Sequence, residues 1–128
     1  MIFVDSNVFI YAVGRSHPLR TEARNFFVEY REKGARLITS AEVLQELLHV
    51  YLPVRRMETL DAALELATLG IDQIIPIDQD TVLHARNLAD RFPELTARDL
   101  LHLAVCRTNK IKEIKTFDRN LLTAFNRA

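Results

Sequence analysis

The sequence predicts an α/β fold, a three-layer sandwich in which a short central parallel sheet is flanked by helices. Three observations predict it. Short apolar or β-branched runs alternate with longer stretches of helical periodicity, the pattern of strand–helix–strand units in a parallel sheet. The strand-like runs are few and brief, and the helical ones many. Several runs also end abruptly in a carboxylate or a small polar residue that can open a helix, as Ile2-Phe3-Val4 ends in Asp5-Ser6-Asn7.

The elements follow in order. Val8 to Val13 continues apolar and predicts a short helix that Gly14 ends. Pro18 stands near the start of a longer helix, about Leu19 to Lys33, with Ala23, Phe26, Phe27 and Tyr30 at helical spacing and Gly34 closing it. Arg36-Leu37-Ile38-Thr39 is a second strand running into Thr39-Ser40 and a further helix. Val43, Leu44, Leu47, Leu48 and Tyr51 share a face of that helix before Pro53 stops it. Met57 to Leu69 is a fourth helix, ended by Gly70. Ile74-Ile75-Pro76-Ile77 reads as a strand whose proline favours an edge. Asp78 to Ala89 is helical, Phe92-Pro93 a break, and Thr96 to Thr108 a strongly apolar helix. Lys112 to Thr116 is the last strand, and Asp118 opens a terminal helix through Phe125.

Length and composition bound the rest. A chain of 128 residues is expected to form one domain, residues 1–128, large enough to bury a real core. Lys+Arg and Asp+Glu both number 17, so net charge offers no long-range attraction to nucleic acid or membrane. An anionic substrate would have to be drawn by a local patch or by bound metal. A single cysteine excludes an intramolecular disulfide framework and fits a reducing compartment. No apolar run approaches the roughly 18 residues of a membrane span. The first residues lack a basic leader and meet an acid at position 5, unlike a signal peptide. The expectation is a cytoplasmic protein.

Four acids recur at strand ends and helix starts, where an open parallel sheet gathers its ligands. Each has a plain structural alternative. Asp5 can simply cap the first helix, and Asp118 the last. Thr96-Ala97-Arg98-Asp99 fits a capping box, yet Leu100-Leu101-His102-Leu103-Ala104-Val105 is apolar round most of its circumference and so buried. An aspartate opening a buried helix is costly unless paired, metal-bound or at a cleft. The remaining acid lies between Glu42 and Glu46. Thr39-x-x-Glu42 matches a capping box, whereas Glu46 lies at the margin of the apolar arc beside Val50. Structure is therefore assigned to Glu42 and chemistry to Glu46.

Val4-Asp5-Ser6-Asn7-Val8, Thr39-Ser40 followed by Val43-Leu44-Gln45-Glu46, Arg98-Asp99-Leu100-Leu101 and Thr116-Phe117-Asp118 together resemble the PIN-domain ribonucleases, and among them the compact VapC-type toxins of prokaryotic toxin–antitoxin pairs. The resemblance covers essentially the whole chain and rests on the order and spacing of the four acids. It implies that Asp5, Glu46, Asp99 and Asp118 form the family's acidic quartet, and that Asn7 and Thr116 line the same pocket. It also implies RNA as the substrate, a VapB-like antitoxin whose C-terminal segment blocks the site, and a homodimer. A processing nuclease of the same family is the alternative to a toxin.

The chemistry of the acids agrees. Hard carboxylate oxygens suit Mg²⁺ or Mn²⁺ rather than zinc. Clustered carboxylates without cations repel one another and force some to protonate. Two ions about 3.5–4 Å apart can activate a water and stabilise the leaving oxygen of an in-line displacement, so hydrolysis of a phosphodiester is the expected reaction. Asp5 and Asp99 are the expected core ligands, with Glu46 and Asp118 completing the set. Arg15, Arg98, Lys115 and Arg119 lie near the acids in sequence and could hold phosphates. Phe26, Phe27, Val50, Tyr51 and Leu52 could leave a groove for a partner helix.

A rival reading comes from Glu46-Leu47-Leu48-His49 and Asp99-Leu100-Leu101-His102, which place an imidazole three residues after an acid on two helices. That is the di-iron bundle signature. Against it stand the strand-like runs, and Asp5 at a strand end. His49 and His102 then read as surface or core polar residues, with His102 able to touch the pocket one turn from Asp99. Cys106, in an apolar helix, reads as a small core residue.

Overall fold

Continuous burial, not alternation, marks the central strands. Every residue of β1 (Ile2–Val4) and β2 (Leu37–Ser40) is buried, as strands of a parallel sheet covered on both faces must be. The computed structural model describes residues 1–128 and joins these strands with β3 (Gln73–Ile75) and β4 (Glu113–Lys115). All pairings are parallel and the order is β3-β2-β1-β4. Helices α1 (Ser6–Val13) and α2 (Pro18–Glu32) connect β1 to β2, and α3 (Ala41–Tyr51) and α4 (Met57–Gly70) connect β2 to β3. The chain then returns through α5 (Gln79–Ala89) and α6 (Ala97–Thr108) to β4, and α7 (Arg119–Arg127) ends it. The result is the expected three-layer sandwich.

This order places the functional edge. The chain moves outward from β1 through β2 to β3, then crosses back to lay β4 on β1's other side, with Val4 opposite Lys115. The strand order therefore reverses between β1 and β4. In open parallel sheets the crevice beyond the carboxyl ends at such a point is where ligands bind.

The larger core joins the strands to α1–α4 and also takes in Val105, Cys106 and Ile111. A smaller one, around Leu88, Phe92, Leu100, Leu103 and Ala124, locks α5, α6 and α7 together. α6 is buried as its sequence demands, Leu103 to Cys106 being sealed from solvent.

Local chemistry explains where the structure departs from expectation. α1 begins at Ser6, two residues before Val8, because Asp5 accepts the Ser6 N–H and caps it. β2 runs on to Ser40, which becomes the cap of α3 by accepting from the Val43 N–H. Thr39 is thereby drawn into the sheet, where its hydroxyl donates to the Val4 carbonyl at 2.8 Å. The expected Thr39–Glu42 capping box does not form. β3 stops at Ile75, since Pro76 has no N–H to give, and it does lie at an edge. Gly34 closes α2 with φ of +71°, a conformation that glycine adopts without strain. The expected partner groove is only half there: Phe26, Phe27 and Tyr51 belong to the core, while Val50 and Leu52 are exposed.

Candidate active site

Asp5 leaves β1 where the strand order reverses, and its backbone N–H still reaches across to the Lys115 carbonyl of β4 at 3.0 Å. Its carboxylate is buried, so it needs partners, and it has them on both oxygens. Oδ1 accepts from the Ser6 N–H at 2.7 Å. Oδ2 accepts from the Thr116 hydroxyl at 2.7 Å and from Asn7 Nδ2 at 3.3 Å. Asn7 and Thr116 thus sit beside Asp5 and knit the two strand ends together. Asn7 Nδ2 also donates to Thr116 Oγ1, and Asn7 Oδ1 accepts the Phe117 N–H at 3.2 Å. Thr116 Oγ1 accepts the Asp118 N–H at 3.0 Å, fixing the turn into α7.

Glu46 arrives from α3 and faces Asp5. The Ser6 hydroxyl donates to its Oε2 at 2.7 Å. Its Oε1 is hydrogen-bonded to Nε2 of His102, which α6 carries in from another side of the pocket, and Asp5 Oδ1 is 3.5 Å from the same nitrogen. His102 is fully buried, its ring 5.4 Å from that of Phe3. Ligand atoms of Asp5, Glu46 and His102 all lie within 4.8 Å of one another, close enough to surround one ion.

Asp99 and Asp118 stand slightly apart, half-buried at helix starts. Asp99 accepts the Thr96 N–H at 3.4 Å while Thr96 Oγ1 accepts the Asp99 N–H, so the capping box read from the sequence forms. Asp118 caps α7 through the N–H groups of Asn120 and Leu121. The grouping therefore differs from the expected one. Asp5 converges with Glu46 rather than with Asp99, because α3 and α6 deliver Glu46 and His102 to the mouth of β1. Asp99 instead shares its surroundings with Asp118.

Electrostatics follow from this arrangement. Burial pushes the Asp5 carboxyl up from its ordinary pKa, and Glu46's charge adds to this against the opposing pull of His102 and Thr116. Glu46 is also penalised by burial. Its bond to His102, that ring's charge, the Ser6 hydroxyl and Arg98 outweigh the penalty and hold it below the ordinary range. For His102, burial disfavours charge, but Glu46, Asp5 and Asp99 together hold the imidazole above its ordinary pKa. Asp99 is raised by burial, with Asp118's charge adding to the shift. Two acids of one pocket are thus driven in opposite directions.

At the rim, Arg98 Nε lies 3.8 Å from Glu42 Oε1. Glu42 is partly buried, its carboxyl raised by burial and by the charge of Glu46, so this residue borders the pocket despite its assignment to structure alone. Lys115 pairs with Glu22 at 3.0 Å, while Arg15 and Arg119 are exposed without an ion-pair partner. His49 is exposed and meets no acid, and the helices surround a sheet, so the di-iron geometry is absent. What the sequence reading underweighted is His102. Its signal was a single polar side chain inside an otherwise apolar, buried run, which must find a partner.

An acid-lined crevice at the switch point of a helix-covered parallel sheet defines the class: an α/β domain built to gather carboxylates. The PIN domain family matches residues 2–126, and the chain belongs to that family. It is 54% identical to Ribonuclease VapC23 of Mycobacterium tuberculosis over 125 residues, covering 98% of each chain. It is 40% identical to Ribonuclease VapC13 of the same organism over 119 residues, covering 93% of this chain and 91% of the relative. Among solved structures, that of M. tuberculosis VapC20, described as a sarcin–ricin loop cleaving toxin, superposes with a TM-score of 0.82 over 97% of this chain and 95% of the other. At 20% identity that likeness speaks for the fold.

Proposed function

We propose that this PIN-domain protein is a divalent-metal-dependent endoribonuclease and the toxin of a type II toxin–antitoxin pair. The observation that carries the reading is the convergence of Asp5 and Glu46 beside His102 at the β1–β4 switch point. It lies in a chain 54% identical, nearly end to end, to a named ribonuclease. The donor set fits a hard divalent ion. Two carboxylates bring oxygens within 4.8 Å of one another, and burial at Asp5 leaves that carboxylate little solvent to meet its charge.

Asp5 and Glu46 would hold Mg²⁺ or Mn²⁺, with Asp99 and Asp118 completing the acidic set. When bound, the ion supplies Lewis acidity toward a phosphodiester. The chain's own residues do the rest. Asn7 and Thr116 fix the Asp5 carboxylate, the Ser6 hydroxyl orients Glu46, and the half-exposed Asp99 and Asp118 can take up a proton from an attacking water. Arg98 at the rim and exposed Arg15 would hold phosphates of an RNA strand. No helix is long and apolar enough to cross a membrane, and a reducing cytoplasm suits the lone buried thiol of Cys106. A VapB-like antitoxin would block the crevice, and exposed Val50, Leu52 and Val54 would contribute to its docking or to a homodimer.

The test is direct. Purified protein should cleave RNA with Mg²⁺ or Mn²⁺ and stop when EDTA is added. Its induction should arrest growth, with relief on co-expression of its small partner. Cleavage that persists in EDTA would sink the metal reading. Growth unaffected by an active nuclease would leave a processing enzyme rather than a toxin.

A further inference from the structure

His102 sits in the pocket without being one of its acids, sealed from solvent in a helix otherwise apolar over this stretch. A buried imidazole costs stability unless its nitrogens are matched. Only one is matched. Nε2 faces Glu46 Oε1 and, at 3.5 Å, Asp5 Oδ1. Nδ1 is buried with no hydrogen-bond partner.

That asymmetry fixes the proton. The ionised Glu46 carboxylate only accepts, so the nitrogen facing it carries a hydrogen. To bind an ion through Nε2, the ring, charged or neutral, would have to give up this hydrogen and hold its one remaining hydrogen on Nδ1. There it is a buried N–H without an acceptor, which costs stability. In this geometry the ring is a donor to a ligand and not a ligand. Its removal would leave Glu46 with the Ser6 hydroxyl alone, at the edge of a pocket where the Asp5 charge repels it.

We propose that His102 is a positioning residue of the metal pocket. Its Nε2–H, delivered from α6, holds the Glu46 carboxylate of α3 against Asp5, so that an arriving divalent ion meets both acids already oriented, with the imidazole outside its coordination shell. Hydrogen-bonded support of this kind typically accounts for 10–100-fold in metal affinity. His102 acts in this way only if the metal-dependent reading of the pocket holds.

The experiment is Mn²⁺ binding by the full chain, measured by electron paramagnetic resonance for the wild type, His102→Leu, His102→Gln and Asp5→Asn. Leucine keeps the core filled and removes the donor, so affinity should fall about 10–100-fold. Glutamine offers an N–H near the Nε2 position and should restore affinity to within about fivefold of wild type, which a purely structural role would not require. Saturating Mn²⁺ should return most of the cleavage rate to His102→Leu. Pulsed spectra of ¹⁵N-histidine-labelled protein should show no directly bound nitrogen. A folded His102→Leu protein with wild-type affinity overturns the proposal, as does a directly coordinated imidazole. If the leucine variant does not fold, a folded His102→Gln protein that has lost tenfold or more overturns it equally. Wild-type protein that binds no Mn²⁺ sinks the metal reading itself. Binding that depends on Asp5 but is indifferent to His102 sinks only this inference.

Discussion

Asp5 and Glu46 are held against the sheet, share one histidine, and each bonds a side chain far away in sequence, although Asp5 Oδ1 also caps α1 through the Ser6 N–H. Asp99 and Asp118 are half-exposed, and their hydrogen bonds are to backbone within three residues. The first pair is assembled by tertiary structure; burial makes Asp5 costly to ionise, while His102 and Ser6 hold Glu46 ionised. The second is placed by helix capping at the starts of α6 and α7. A site built this way has a rigid half, where geometry is set before any ligand arrives, and a local half that can respond to solvent and substrate. The two halves should fail differently when altered.

The largest difference should come from Asp5. Asp5→Asn keeps an oxygen for the Ser6 N–H and so keeps the cap, but removes the central charge. Cleavage should fall by about three orders of magnitude, since a divalent ion supplies several kcal/mol of charge stabilisation. The protein should remain folded by circular dichroism. Full activity in this variant would remove Asp5 from the centre of the site.

Asp118→Asn should cost less, about 10–100-fold in rate with thermal stability unchanged, because asparagine caps a helix as well as aspartate. It should also lower the pKa of Asp99 in metal-free protein, by removing the nearby like charge that raises it. Carboxyl carbon shifts followed by NMR in EDTA would report this. An unmoved Asp99 would mean that the two acids do not face each other as a pair.

Thermal melts across pH, in EDTA, sharpen the contrast within the buried pair. Asp5 has a raised pKa, so its ionised form works against the fold. As pH rises above the ordinary carboxylate range, Asp5→Asn should therefore gain on wild type. Glu46 has a lowered pKa, so its contribution is present above about 4.5 and lost as pH falls through its folded value. Glu46→Gln should be destabilised at neutral pH and converge on wild type in acid. Shifts of a few degrees are expected, at roughly 2–6 °C per kcal/mol for a chain this size. Both variants moving in the same direction would contradict the electrostatics of the pocket.

Much of this was legible in the sequence because it is local. Strand runs, helix starts and the Thr96–Asp99 box depend on neighbours a few residues away. The class of fold and the acids themselves follow from them. The strand order does not, since nothing local says that β4 crosses back to β1. The partnership of Glu46 with His102 spans 56 positions and two helices, and could be guessed only from a polar residue stranded in an apolar run. The Thr39–Glu42 box failed for the same reason in reverse. A pattern that is locally sound lost to the sheet, which took Thr39 for a bond to Val4.

That failure bears on the smallest effect. Glu42, freed from capping, stands beside Glu46 and meets Arg98 at 3.8 Å, a partly exposed pair that adds little to stability. Glu42→Gln should change the melting temperature hardly at all and the rate at saturating substrate by no more than about threefold. Its visible effect should fall on KM for RNA, lowered as Arg98 is released to bind phosphate, with the shift shrinking as salt screens the contact. Arg98→Ala should raise KM and abolish the sensitivity to Glu42. If Glu42→Gln alone were inactive, the acid that completes the pocket with Asp5 would be Glu42, and the division between a buried chemical half and a capping half would have to be redrawn through α3.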